Sequence, residues 1–169
     1  MPVWLWWVIG VVGVVFLSQA VVITTEFIDR RRKFRQAKAY AASVGKPLLV
    51  VGRPGNNRIK VYTGGDVTLD LDPRVLNDCP QGGCVANVCN IPFPDGYFGA
   101  AFVSFVLDYL PSVNDFDKAL NELSRVADNV FICHTKPLNI RWRYLPIPDQ
   151  VSLWISPKNG KLKARPKLW

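Results

Sequence analysis

The groups in this chain that could do chemistry stand where apolar runs stop. "LLVVGRPGNN" leaves an apolar run through Gly52 and Gly55. "VTLDLDP" closes a β-branched run on Asp70 and Asp72, and "CVANVCNIPFPDGYF" sets Asn87 ahead of a Pro-Asp-Gly turn. Glycine at a strand end lets backbone approach a ligand closely. An amide such as Asn87 can accept a hydrogen bond through its oxygen. This is the chemistry of holding a ligand, and no side chain is assigned as catalytic. His134, the sole histidine, ends the run "NVFICH", where a base could sit; a structural role is the plainer reading. Asp95 and Gly96 serve a turn, and Asp108 reads as a helix-start acid. Cys79, Cys84 and Cys89 follow a C-x4-C-x4-C spacing, which lacks the close pairs of a zinc site. With Cys133 they are read as small buried thiols, and no metal is expected.

The elements that would position these groups alternate. Apolar or β-branched runs at 47–51, 66–71, 84–89, 99–105 and 129–134 read as strands. Between the last two, Ser112 and Asp115 form a capping-box-like start. Phe116, Leu120, Leu123 and Val126 then recur at helical spacing, and Asp128-Asn129 is read as the stop. Near-continuous apolar strands around a helix imply a parallel sheet covered on both faces. The crossover between Gly52 and Asp66 is tight, so any helix there must be short. "QVSLWIS" and "GKLKAR" flank "PKNG" and predict a hairpin that adds an antiparallel edge. "RWRYLPIPDQ" (141–150) is a substrate lip, an interfacial patch or a packing surface.

The front of the chain has a different character. From Val3 to Ile23 the only polar side chains are Ser18 and Gln19. As a helix this run spans about 31 Å, which matches a hydrocarbon core of about 30 Å. Nothing basic precedes it, as a cleaved signal would require. The predicted organisation is a transmembrane helix at 1–25, a basic juxtamembrane helix at 26–45 stopped by Gly45 and Pro47, and an α/β domain at 46–169 with a basic tail. Trp4, Trp6 and Trp7 suit one membrane interface, and the positive-inside rule places the N-terminus outside and the main domain on the cytoplasmic side. The net charge of +8 resides at the two ends of the domain, leaving its middle near neutral. A nucleic-acid partner is therefore not expected. Arg30, Arg31, Arg32, Lys33 and Arg35 suit either a stop-transfer signal or contact with anionic lipid.

The order glycine loop, acid, polar residue, "IPFPDGYF", "SFVLDYL", "ELSRVAD" resembles the class I S-adenosylmethionine-dependent methyltransferases, over about residues 46–134. The branch with a "PFPDGSFD" signature is the most similar. The resemblance implies a Rossmann-like, mostly parallel sheet with helices on both faces. It also implies S-adenosylmethionine as cofactor, bound by Gly52 and Gly55, by Asp70 at the ribose hydroxyls and by Asn87 at the adenine. The family pattern departs at five positions. Pro54 and Asn56 stand where loop glycines are usual, Val50 where an acid precedes the loop, and Phe105 and Tyr109 where histidines are common. Pro54 lacks an N–H, and Arg53 adds positive charge beside a cationic ligand. The expectation is therefore a non-catalytic, membrane-anchored accessory subunit with no bound cofactor, docked on protein subunits of a larger complex. The alternative is an active methyltransferase on a membrane-proximal substrate.

Overall fold

The computed structural model describes residues 2–52, 65–76, 82–134, 151–156 and 161–166. Its first element is one continuous helix, α1 (Val3–Ser43). The sheet strands are β1 (Leu48–Val51), β2 (Val67–Asp70), β3 (Gly83–Val85), β4 (Phe98–Ser104) and β5 (Ala127–Cys133). A single turn, α2 (Pro73–Leu76), follows β2, a 3₁₀ turn (Leu107–Tyr109) follows β4, and α3 (Val113–Val126) precedes β5. The strands lie in the order β3-β2-β1-β4-β5, and every pairing is parallel. The expected fold class is present, with α1 on one face and α3 on the other.

Side-chain alternation along the strands builds two cores. Leu48, Val50, Ala100 and Phe102 point to α1 and meet Phe34, Ala37 and Ala41. Leu49, Val51, Ala101 and Val103 point the other way and meet Phe116, Ala119, Leu123 and Val126 of α3. Such two-sided burial is what near-continuous apolar strands require. The basic stretch after the apolar run therefore carries the helix that covers one face of the sheet. Gly99 marks the closest approach. A Cβ there would lie 3.0 Å from Ala41 Cα and 2.6 Å from Val44 Cγ2. Gly99→Val is expected to push α1 outward and lower stability by about 1–3 kcal/mol, read as a shifted midpoint in urea.

Both sheet-covering helices end as their residues dictate. Gly45 (φ +67°) donates to the Ala42 carbonyl and Lys46 to the Ala41 carbonyl, a complete Schellman motif. Ser112 caps α3 by accepting from the Asp115 N–H at 3.1 Å. The far end of α3 differs from expectation. The helix stops at Val126 and passes into β5 without a loop, because Ala127 is already buried and paired with Phe98. Asp128 then accepts two hydrogen bonds from Lys46 Nζ, at 2.8 and 2.9 Å.

Two other expectations need correction. β3 is shorter than the run 84–89, because the Asn87 side chain accepts from Cys89 N–H and turns the chain away. The hairpin β6 (Val151–Ile155) and β7 (Leu162–Pro166) exists, but it does not extend the main sheet. It is a separate two-stranded sheet. Val151 and Leu153 bury their side chains in the α3-side core, and that burial sets its place. The crossover after Gly52, the whole of "PKNG" and the segment 141–150 lie outside the described residues, as do Gly55 and Cys79.

Candidate functional site at the carboxyl edge of the sheet

Strand order reverses between β1 and β4, and open α/β sheets bind ligands at the carboxyl ends of strands beside such a reversal. Gly52 sits there. Its φ is +89°, and its N–H continues the ladder to the Leu69 carbonyl at 2.9 Å. A Cβ on Gly52 would meet Val106 Cγ2 at 2.3 Å and the Ser104 carbonyl at 3.4 Å. Both the backbone angle and the space thus demand glycine at the end of β1.

Asp70 closes β2 on the same edge. One of its oxygens accepts the Asp72 N–H at 2.9 Å. Asp72 has a different job: it grips Arg74 through the backbone N–H, Nε and the terminal nitrogen, and so starts α2. Of the two acids, Asp72 has both oxygens engaged by Arg74, whereas Asp70 holds a backbone N–H. Asn87 follows β3 and is exposed, with its oxygen accepting from Cys89 N–H at 2.9 Å. An amide oxygen has two lone pairs, so one acceptor site remains. Gly52, Asp70 and Asn87 thus share one edge in the order of their strands, while Gly55 lies outside the described residues.

The end of β4 adds Ser104, which sequence alone did not single out, and gives new context to Phe105 and Arg30. Ser104 is 7% exposed, and its hydroxyl has no hydrogen-bond partner among the described residues. Phe105 has φ +55°, the only non-glycine positive value among the described residues, and its N–H bonds to the Cys133 carbonyl. Such backbone costs of order 1–3 kcal/mol and clusters at functional sites. The Arg30 guanidinium lies 5.6 Å over the Phe105 ring. Lys33, on the same side of α1, donates to the Ile132 carbonyl at 2.8 Å and pairs with Asp29. Arg31, Arg32 and Arg35 are exposed instead. The spacing 30, 34, 37, 41 places Arg30 on the stripe that packs against the sheet, a signal legible in sequence but masked by the basic run around it. His134 follows β5 and is half-buried. Tyr109 is raised above the usual phenol range by burial, with Asp108 adding to it.

The most specific sequence motif proves to be a clamp. Arg125 on α3 bonds both Glu122 oxygens, the Ile91 and Phe93 carbonyls and Asp95. Glu122 also accepts the Ile91 N–H, and the Arg125 carbonyl takes the Gly96 N–H. The "IPFPDGY" loop is thereby stapled to α3 just before β4 begins. The Arg125 hydrogen bond holds the Glu122 carboxyl below its ordinary value, with the Ile91 N–H assisting against partial burial. A depressed folded-state value stabilises above the unfolded value, about 4.3, and that stability fades as pH falls through the folded value. Glu122→Gln is expected to flatten the acid side of the stability–pH curve, measured by urea titration from pH 6 to pH 3.

The three described cysteines do not form a centre. Burial pushes Cys133 up to about 11, and burial with Asp115 nearby raises Cys89, whose Sγ lies 3.3 Å from the Asp115 carbonyl. Cys84, Cys89 and Cys133 are free thiols, and among the described residues no cluster could hold a metal.

A family model described as a methyltransferase domain matches residues 44–129. The chain belongs to the methyltransferase domain family. The match opens as α1 ends and closes within β5, so it takes in Gly52, Asp70, Asn87 and the clamp but not Arg30 or His134. No curated protein matches the chain. Among solved structures, it is similar to the N-methyltransferase NodS from Bradyrhizobium japonicum WM9, at 18% identity and a TM-score of 0.42, covering 59% of this chain and 63% of that one. The same enzyme in complex with S-adenosyl-l-homocysteine matches at 17% identity and a TM-score of 0.42, over 57% and 56%. The chain thus spans less than two thirds of the solved methyltransferase chains it resembles.

Proposed function

We propose that this methyltransferase-family domain binds S-adenosylmethionine at the carboxyl edge of its sheet and serves methyl transfer to a membrane-proximal substrate. The observation that carries the reading is Gly52: its positive φ and contact with Val106 reserve the β1–β4 reversal for bare backbone. The donor set fits the ligand. Gly52 would present backbone, Asp70 would accept from ribose hydroxyls, and Asn87 would meet the adenine edge. The buried Ser104 hydroxyl, without a partner among the described residues, adds a polar group at the same strand end. The cofactor would supply an electrophilic methyl group on a sulfonium. What the chain contributes is orientation, since transfer from such a centre depends chiefly on holding two reactants in line.

The membrane side of this reading rests on α1. Among the described residues it is the one helix long and apolar enough to cross a bilayer, and its most apolar stretch has no buried residue. Trp4, Trp6, Trp7 and Phe16 are all more than 60% exposed, which a bilayer would cover. Under the positive-inside rule the domain lies on the cytoplasmic side. Arg31, Arg32 and Arg35 line a cavity of about 480 Å³ with Phe27, Ile28 and Gln36, a surface suited to anionic lipid at about 1 kcal/mol per cation.

A second reading, a non-catalytic subunit of a larger membrane complex, draws on Val50. This residue holds the position of the family's acid, yet it is 1% exposed and packed among Phe34, Ala37 and Phe102. Calorimetry on the detergent-solubilised chain separates the two. Micromolar binding of S-adenosylhomocysteine, weakened at least tenfold by Asp70→Ala, is expected. Absent or millimolar binding would leave the accessory role.

A further inference from the structure

The direction of α1 relative to the strands fixes which edge of the domain faces the apolar run. Three contacts set the direction. Ala41 lies against Gly99 near the start of β4. Phe34 packs edge-on against Phe102, with ring centroids 5.3 Å apart. Arg30 covers Phe105, just past the end of β4. As the helix is followed backward from 41 to 30, the strand advances from 99 to 105. α1 is therefore antiparallel to the sheet, and its apolar half projects beyond the carboxyl edge, where Gly52, Asp70, Ser104 and Phe105 lie.

The remaining distance is short. Seven residue steps of unbroken helix lead from Arg30 to Ile23, the last residue of the apolar run, or about 10 Å at 1.5 Å per residue. A headgroup layer is roughly 5–8 Å thick on each side of the hydrocarbon core. We infer that the carboxyl edge is held against the headgroup layer, so that its site is entered from the bilayer surface and takes an amphiphile whose reactive atom lies at headgroup depth. The inferred orientation depends on α1 spanning the bilayer; the substrate class also depends on the site assignment made above. The amino edge, by contrast, is carried a full strand length away, about 23 Å for the seven residues of β4. Exposed Arg31 and Arg32 lie one to two residues past Arg30 and can hold anionic headgroups beside this edge.

The test uses the full chain in vesicles that contain lipid with a quencher on its headgroup. A fluorescent amino acid replaces either Tyr109, at the carboxyl edge, or Tyr97, at the amino edge; both tyrosines are exposed. Quenching at position 109 is expected to exceed that at position 97 several-fold. Inserting seven helix-forming residues between Thr24 and Thr25 lifts the domain by about 10 Å while rotating it only ~20°. That insertion should abolish the difference without changing affinity for S-adenosylhomocysteine in the same vesicles. Equal quenching at the two positions, or stronger quenching at 97, would overturn the orientation even if binding persists. Strong quenching at 109 with no binding would overturn the substrate assignment and leave the orientation standing.

Discussion

Phe102→Ala is expected to cost about 3–5 kcal/mol of stability, the range for emptying a large aromatic site in a closed core. Phe102 is 1% exposed and lies on the central strand β4, facing α1. Its ring meets Phe34 edge-on at 5.3 Å, an aromatic geometry worth about 0.5–1.5 kcal/mol beyond area. Around the pair, Ala37, Ala41 and Ala100 are too small to fill the space, and Val50 and Phe131 are held by their strand pairing with Phe102. The lost contact is also the middle of the three that align α1 with the sheet. Urea unfolding in detergent should show the loss, and Phe34→Ala in a double-mutant cycle should show coupling between the two rings. A change below about 1 kcal/mol would mean that α1 is not packed on this face.

Gly52→Ala should have the second-largest effect, and it should act on ligand binding as well as stability. The substitution meets two penalties. A left-handed backbone angle costs a residue with a Cβ about 1–2 kcal/mol, and the methyl would press on Val106 Cγ2, an overpacking cost of about 1–3 kcal/mol. The affinity for S-adenosylhomocysteine should fall at least tenfold, because the end of β1 must shift to make room. Gly52→Ala combined with Val106→Ala should recover the packing part of the stability and not the backbone part. A single variant that folds and binds like the wild type would show that the β1–β4 reversal is not where the ligand sits.

The sheet was legible in the sequence wherever a run was apolar throughout. Leu48–Val51 and Phe98–Ser104 are buried along their whole length, and such strands announce themselves by composition. The third strand was overdrawn because Asn87 acts through its own side chain, capturing the Cys89 N–H, and such local capture leaves no periodicity to read. The hairpin was foreseen, but its placement was not, since β-alternation does not say which apolar surface a face will meet. Of the site, Gly52 and Asp70 could be named in advance because each ends an apolar run, and Asn87 through the family resemblance, since it lies inside the run 84–89. Arg30 and Phe105 stand out only as part of the basic stretch and as a departure from the family pattern, not as neighbours at the end of β4. Arg30 looks like one more charge in a basic stretch until the helix phase is fixed by Phe34, Ala37 and Ala41. The positive φ of Phe105 follows from the way β4 ends between Gly52 and Cys133, which no single stretch of sequence encodes.

Photocrosslinking of methyl-labelled S-adenosylmethionine to the solubilised full chain tests the ligand site most directly. Label that is displaced by excess S-adenosylhomocysteine and recovered in peptides holding Gly52, Asp70 or Phe105 is the expected result. No displaceable label, or label confined to peptides remote from the carboxyl ends of β1, β2 and β4, would contradict it.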